Sequence, residues 1–205
     1  MISHRHGDHT SGLNALLQNA EVRVFVPAEK FGVFGSELPG TFYPGDESLP
    51  AAQRYYHGEP PQVIRSGTPW ADANFVQVQN SVEILRGMHL ISLVSTTPGT
   101  LEVRELSLSL DTAESQVLNV GRSHPGIEHI VEAAAALDRP IDLVFGGLHL
   151  LATPEPEIER IATALRDRWG VARIAPAHCS GEPAFRILRE VFDRRFIYAG
   201  LGDWI

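Results

Sequence analysis

Residues Ile2 to Thr10 read Ile-Ser-His-Arg-His-Gly-Asp-His-Thr, and nothing else in the chain restricts its fold as strongly. Three histidines and one carboxylate fall within six residues, spaced His4-x-His6-x-Asp8-His9. Neutral imidazole and carboxylate are the ligands that borderline-soft ions such as zinc prefer. In an extended segment alternate residues face one side, which would gather His4, His6 and Asp8 and turn His9 toward a neighbouring position. Four donors in two orientations suit a two-metal site better than one structural ion. A purification tag would be a uniform histidine run without the interposed Asp8. Such a motif needs a scaffold that returns other ligands to it from far along the chain.

The remaining 196 residues are long enough to supply that scaffold and bury a substantial core. The chain carries a formal charge of −8, which argues against a general nucleic-acid surface. No apolar run reaches the ~20 residues that span a bilayer, and no secretory signal opens the sequence. Cys179 is the single cysteine, so no intrachain disulfide can form and a cytoplasmic location is expected.

One domain over residues 1–205 is the simpler reading, since no internal repeat or low-complexity linker divides it. Thr10–Asn19 suits a short helix and Val22–Val26 a strand. Residues 35–75 are punctuated by proline and glycine and read as a lid or insertion. Strands are expected around Val82–Val94, Leu101–Leu110 and Gln116–Val120. Beyond residue 121 helices alternate with strands, as in α/β layers. A helix over Pro125–Leu137 places Ile127, Ile130, Val131 and Ala134 on one face. A strand at Ile141–Phe145 follows, then a helix capped by Thr153 with Ile158, Ile161, Ala162, Leu165 and Trp169 along one stripe. Arg173–Pro176 reads as a strand, Glu182–Phe192 as a helix and Phe196–Ala199 as a last strand.

Three later histidines share one setting, a strand end followed by a small or turning residue. They are His124, His149 and His178, and strand C-terminal ends are where open α/β sheets place ligands. His57, His89 and His129 lack that setting and are read as ordinary structural residues. Cys179 adjoins His178, and neighbours on a strand point apart, so the pair is one ligand and one packed thiol. Arg122 lies just before a helix N-terminus, where free N–H groups favour anions, and is a candidate for binding a substrate phosphate or carboxylate.

The order of these motifs resembles the metallo-β-lactamase superfamily, whose signature is His-x-His-x-Asp-His followed by two later loop histidines. "ISHRHGDHTSGL", "GRSHPGIEHIVEAA", "VFGGLHL", "PAHCSGEPA" and the ending "YAGLGDWI" resemble one branch, the 7,8-dihydropterin-6-methyl-4-(β-D-ribofuranosyl)-aminobenzene-5′-phosphate synthases. The resemblance implies an αββα sandwich with metals at one edge. It implies that His4, His6 and His124 hold a first metal, that Asp8, His9 and His178 hold a second, and that Asp8 orients or deprotonates the attacking water. It also implies strands upstream of the motif. With Met1 three residues before the first ligand, an N-terminally truncated sandwich is expected, with an edge that a homodimer would cover. The superfamily's bridging Asp is replaced by Gly146-Gly147, with His149 close by as a substitute ligand or substrate contact. Arg122 stands where the branch commonly has Cys.

The functional expectation is a metal-dependent hydrolase acting on a small-molecule ester, amide or phosphoester. One or two divalent ions, zinc first and manganese or iron as alternatives, would lower the pKa of water from 15.7 to about 7. Two other readings stay open. One is a transferase joining a pterin to a phosphoribosyl-aminobenzene unit, with an anionic or pterin-like substrate. The other is a non-catalytic remnant or binding subunit.

Overall fold

The computed structural model describes residues 1–17, 22–29, 34, 37–40, 45–65, 69–70, 73–95 and 102–200. Its centre is a six-stranded sheet in the order β10-β9-β8-β7-β6-β5. These strands are β5 (Val82–Leu85), β6 (Met88–Ser95), β7 (Val103–Asp111), β8 (Gln116–Val120), β9 (Ile141–Gly146) and β10 (Arg173–Pro176). β5 to β8 run antiparallel as a meander, and β8, β9 and β10 run parallel. A second sheet pairs β1 (Arg23–Pro27) with β4 (Asn74–Val78) in parallel, and β2 (Glu37–Pro39) pairs with β3 (Val63–Arg65) separately.

Hydrophobic periodicity explains the layering. α3 (Ile127–Ala135) buries Ile127, Ile130, Val131 and Ala134. α4 (Glu155–Thr163) buries Ile158, Ile161 and Ala162, and α5 (Glu182–Phe192) buries Ala184, Ile187, Leu188 and Phe192. All three stripes close on Leu118, Val120, Val144 and Ile174 of the large sheet. Each fully buried aliphatic side chain stabilises the fold by about 1.5–3 kcal/mol. The other face of that sheet, through Leu90 and Leu106, meets Val78 and Phe25 of the small sheet. On β1, Val24 and Val26 point the opposite way and pack with Leu13 of the short helix α2 (Leu13–Leu17). Helix, sheet, sheet, helix is the αββα order that the motifs imply.

Several expected bounds shift. Val82–Val94 is a hairpin of two strands rather than one run, because Gly87 takes φ +74 at the turn. Thr153 does not cap α4; Pro154 stands at that position without a side-chain cap. Phe196–Ala199 forms no strand: Phe196 makes one isolated parallel bridge to Ile174. Thr10–Asn19 is two short helices, α1 (Gly7–Thr10) and α2, with 18–19 outside the described residues. The expected strand start at Leu101, parts of the proline- and glycine-rich 35–75 region and the end of "YAGLGDWI" also lie outside them. No described helix is long and apolar enough to cross a membrane.

The register places the site. Val120 pairs with Gly146, and Gly146 pairs with Pro176, so three parallel strands end on one row. His124, His149 and His178 follow those ends. The motif segment arrives beside them by bonding both sheets: Ile2 N–H donates to Phe25 O, and Leu106 N–H donates to Ser3 O, each at 2.8 Å. The row is tightly packed at Gly146, which has φ +120 and whose added Cβ would fall well inside contact with the Val120 carbonyl. Gly146→Ala should therefore lower stability by about 3 kcal/mol or more, read as a drop in the urea midpoint. An unchanged midpoint would contradict the close backbone approach.

Candidate metal centre

Two groups of metal-capable side chains stand together among the described residues: His4, His6 and His124, and Asp8, His9 and His178. Within each group every donor atom lies within 4.8 Å of the others. His4 Nε2 and His124 Nε2 each lie 3.1 Å from His6 Nδ1. In the second group, His178 Nε2 is 3.2 Å from both His9 Nε2 and Asp8 Oδ2. The groups abut, with the His4 and His9 rings 4.2 Å apart. The six residues that the resemblance implies as ligands thus come together.

Alternation alone predicts the wrong partition. It would put Asp8 with His4 and His6, but the backbone turns into α1 at Gly7 and carries Asp8 and His9 to the other trio. His149 reaches the edge of the centre, its ring 4.7 Å from that of His124. Arg122 precedes Gly126, the N-cap of α3, and its Nη1 donates to Asp8 Oδ2 at 2.8 Å. Cys179 is a packed thiol whose Sγ lies 3.7 Å from the Arg122 carbonyl. His57, His89 and His129 stay outside, His89 beside Asp111 at 3.7 Å and His129 against Pro125 O at 2.8 Å.

Four supporting residues escape the sequence reading. Buried Glu105 on β7 accepts three backbone N–H bonds, from Arg122, Ser123 and His124, each 2.8 Å. It shapes the loop that presents His124. Buried Ser3 places its Oγ 3.1 Å from His4 Nδ1 and 3.3 Å from His9 Nδ1. A proton on each Nδ1 would leave both Nε2 lone pairs directed into the centre, which is how an outer partner fixes a ligand tautomer. Arg5, between the two first-trio histidines, turns to Glu29 at 2.7 Å, and Glu29 also accepts from Arg104 N–H at 2.8 Å. A signal for Glu105 was present: Glu105, Ser107 and Ser109 are polar at period two, opposite Leu106 and Leu108.

The electrostatics favour the neutral form of five imidazoles, those of His4, His6, His9, His124 and His149. Burial, then the charges of His9, His124, His6 and Arg122, push His4 down to about 2. Burial and the neighbouring His149, His6, Arg122 and His9 push His124 down to about 4. His6, His9 and His149 are also lowered, chiefly by burial. Burial opposes ionisation of Asp8, yet His9, its own backbone N–H, Arg122 and His178 outweigh it and hold the carboxyl below the usual range. Neutral imidazoles at His4, His6, His9 and His124 with an ionised Asp8 are the donor states that metal binding requires, so these residues fit a divalent ion.

These shifts set a pH dependence for the metal-free protein. The unfolded chain protonates these histidines near 6.5, whereas the folded chain resists, so stability is lost as pH falls from 6.5 through about 4. Glu105 and Glu29, raised by burial, work in the opposite sense, losing stability as pH rises above their ordinary 4.5. Five histidines against two carboxylates predict a lower urea midpoint at pH 5 than at pH 7.5. Equal midpoints would show that the ring cluster is not protonated more readily on unfolding.

Gly147, in the turn where the resemblance implies a bridging carboxylate, has no room for a side chain. A Cβ on Gly147 would run into the Gly121 carbonyl and stand 2.8 Å from that of His178. Gly147 is instead held by its N–H to Val120 O at 3.0 Å, and its carbonyl accepts from Ser123 Oγ at 2.7 Å.

No family model and no curated protein matches the chain. Among solved structures, it is similar to Tm1679, described as a metal-dependent hydrolase of the β-lactamase superfamily. The two are 26% identical with a TM-score of 0.68, over 97% of this chain and 76% of the other. The fold is of the metallo-β-lactamase type, and this likeness, together with the two donor trios, supports the superfamily that the motifs resemble.

Proposed function

We propose that the chain is a metal-dependent hydrolase of a small-molecule ester, amide or phosphoester. The abutting trios His4–His6–His124 and Asp8–His9–His178 carry this reading. Their nitrogen-rich donor set suits zinc first, with manganese and iron as alternatives. A divalent ion bound there supplies a water acidified to near neutral pH and a Lewis acid for the substrate oxygen. Asp8, ionised at neutral pH, would orient the attacking water. A cleft of about 610 Å³ runs from His124 and His149 past Ile127 and Leu150 to Trp169, a volume suited to a small molecule. His149, exposed at its mouth, contacts the substrate.

The test is reconstitution. Chelator-treated protein is expected to regain at least one equivalent of zinc, manganese or iron, measured by elemental analysis. Metal-dependent turnover should appear on a panel of chromogenic esters, amides and phosphoesters. Binding of less than one equivalent sinks the reading.

A further inference from the structure

Arg5 stands between two donors of the first trio, His4 and His6, yet its guanidinium turns to the junction of the two sheets. One nitrogen, Nη1, donates both to Glu29 Oε1 and to the Glu102 carbonyl, each at 2.7 Å. Glu29 follows β1 and Glu102 precedes β7, so this nitrogen ties the motif segment to both sheets. The ion pair is enclosed, with side chains 12% and 3% exposed. Glu29 Oε1 also accepts the Arg104 N–H at 2.8 Å, whereas its buried Oε2 has no hydrogen-bond partner.

A buried ion pair that leaves one oxygen unsatisfied is a poor stability device, since well-packed apolar side chains of similar volume are often as stable or more so. We propose that the Arg5–Glu29 pair is instead a positioning device of the metal centre, fixing the segment so that the His4 and His6 rings converge on His124. This rests on the metal-dependent reading above. Ile2 and Ser3 are held by backbone bonds to Phe25 and Leu106, and α1 begins at Gly7. Between those anchors Arg5 carries the side-chain tie of the segment to the sheets. His4 Nε2 and His124 Nε2 each reach His6 Nδ1 at 3.1 Å, so a small rotation of the segment would open the first trio. The second trio is insulated from it, because Asp8 and His9 ride on α1 and His178 follows β10.

Zinc titration of the metal-free protein tests the assignment in two backgrounds that isolate the trios. His178→Ala leaves the first trio intact, and His124→Ala leaves the second. Replacing the pair by apolar side chains, Arg5→Met with Glu29→Leu, should leave the urea midpoint equal or higher. Zinc affinity at the first trio should nevertheless fall about 10- to 100-fold, and affinity at the second should stay within about threefold. Unchanged affinity at the first trio, whatever the midpoint, or equal weakening of both trios would overturn the proposal. Two single variants guard against a folding defect in the double one. A single nitrogen makes both bonds, with no bidentate fork, so Arg5→Lys should keep first-trio affinity within about threefold, whereas Arg5→Gln should lose about tenfold or more. Equal affinities in these two variants would also overturn the positioning role while leaving the hydrolase reading standing. Less than one equivalent of zinc in the wild type would overturn both.

Discussion

His124→Ala is expected to cost the first trio more than about 100-fold in metal affinity and to take hydrolysis down with it, beyond the range seen when only a supporting residue of a metal site is removed. His124 Nε2 is one of three nitrogens in that trio, and its loss leaves His4 and His6, two residues apart on one segment, without the donor that closes the site from the far sheet. His89→Ala is the matched control. That histidine sits on β6 beside Asp111, outside both donor groups, and its removal should change neither metal content nor kcat/KM. Elemental analysis and kcat/KM at saturating zinc give the two readouts. Full metal retention by the His124 variant would show that this residue is not a ligand.

The motif's chemistry was legible because it is local: donor type and short spacing are written in Ile2–Thr10. The bounds of β10 and α5 match expectation residue for residue, since Arg173–Pro176 and Glu182–Phe192 are strongly patterned and end at turn residues. What escaped depends on distant pairing. Alternation could not foresee that the chain turns helical at Gly7 and splits the motif between two trios. The pattern at Phe196–Ala199 suits a strand, but the segment makes one isolated bridge to β10, with Ile197 N–H donating to Ile174 O, while the Phe196 N–H turns back to Asp193 O. The Arg122 contact with Asp8 joins residues 114 apart, which no local pattern announces. Glu105 was hidden for the same reason. A buried carboxylate can be noticed in a strand, but not which loop's N–H groups it will meet.

That carboxylate carries the second large prediction. Glu105 is 1% exposed and accepts three backbone N–H bonds, which counter the burial that raises its pKa. Glu105→Ala would leave those three donors buried without an acceptor, a loss expected to be about 3–5 kcal/mol. Glu105→Gln keeps one carbonyl oxygen but turns an N–H₂ toward donors, so it should fall between the two. Urea midpoints give the stability ranking. A purely structural role would end there, with metal affinity unchanged wherever the protein remains folded. A positioning role predicts more: in the glutamine variant, kept below its unfolding range, zinc affinity at the first trio should fall about 10- to 100-fold. The second trio should change less, because Asp8 and His9 are carried by α1 and His178 by the loop after β10, and none of the three receives its backbone geometry from Glu105. Equal weakening of both equivalents would mean that Glu105 supports the fold as a whole rather than the presentation of His124.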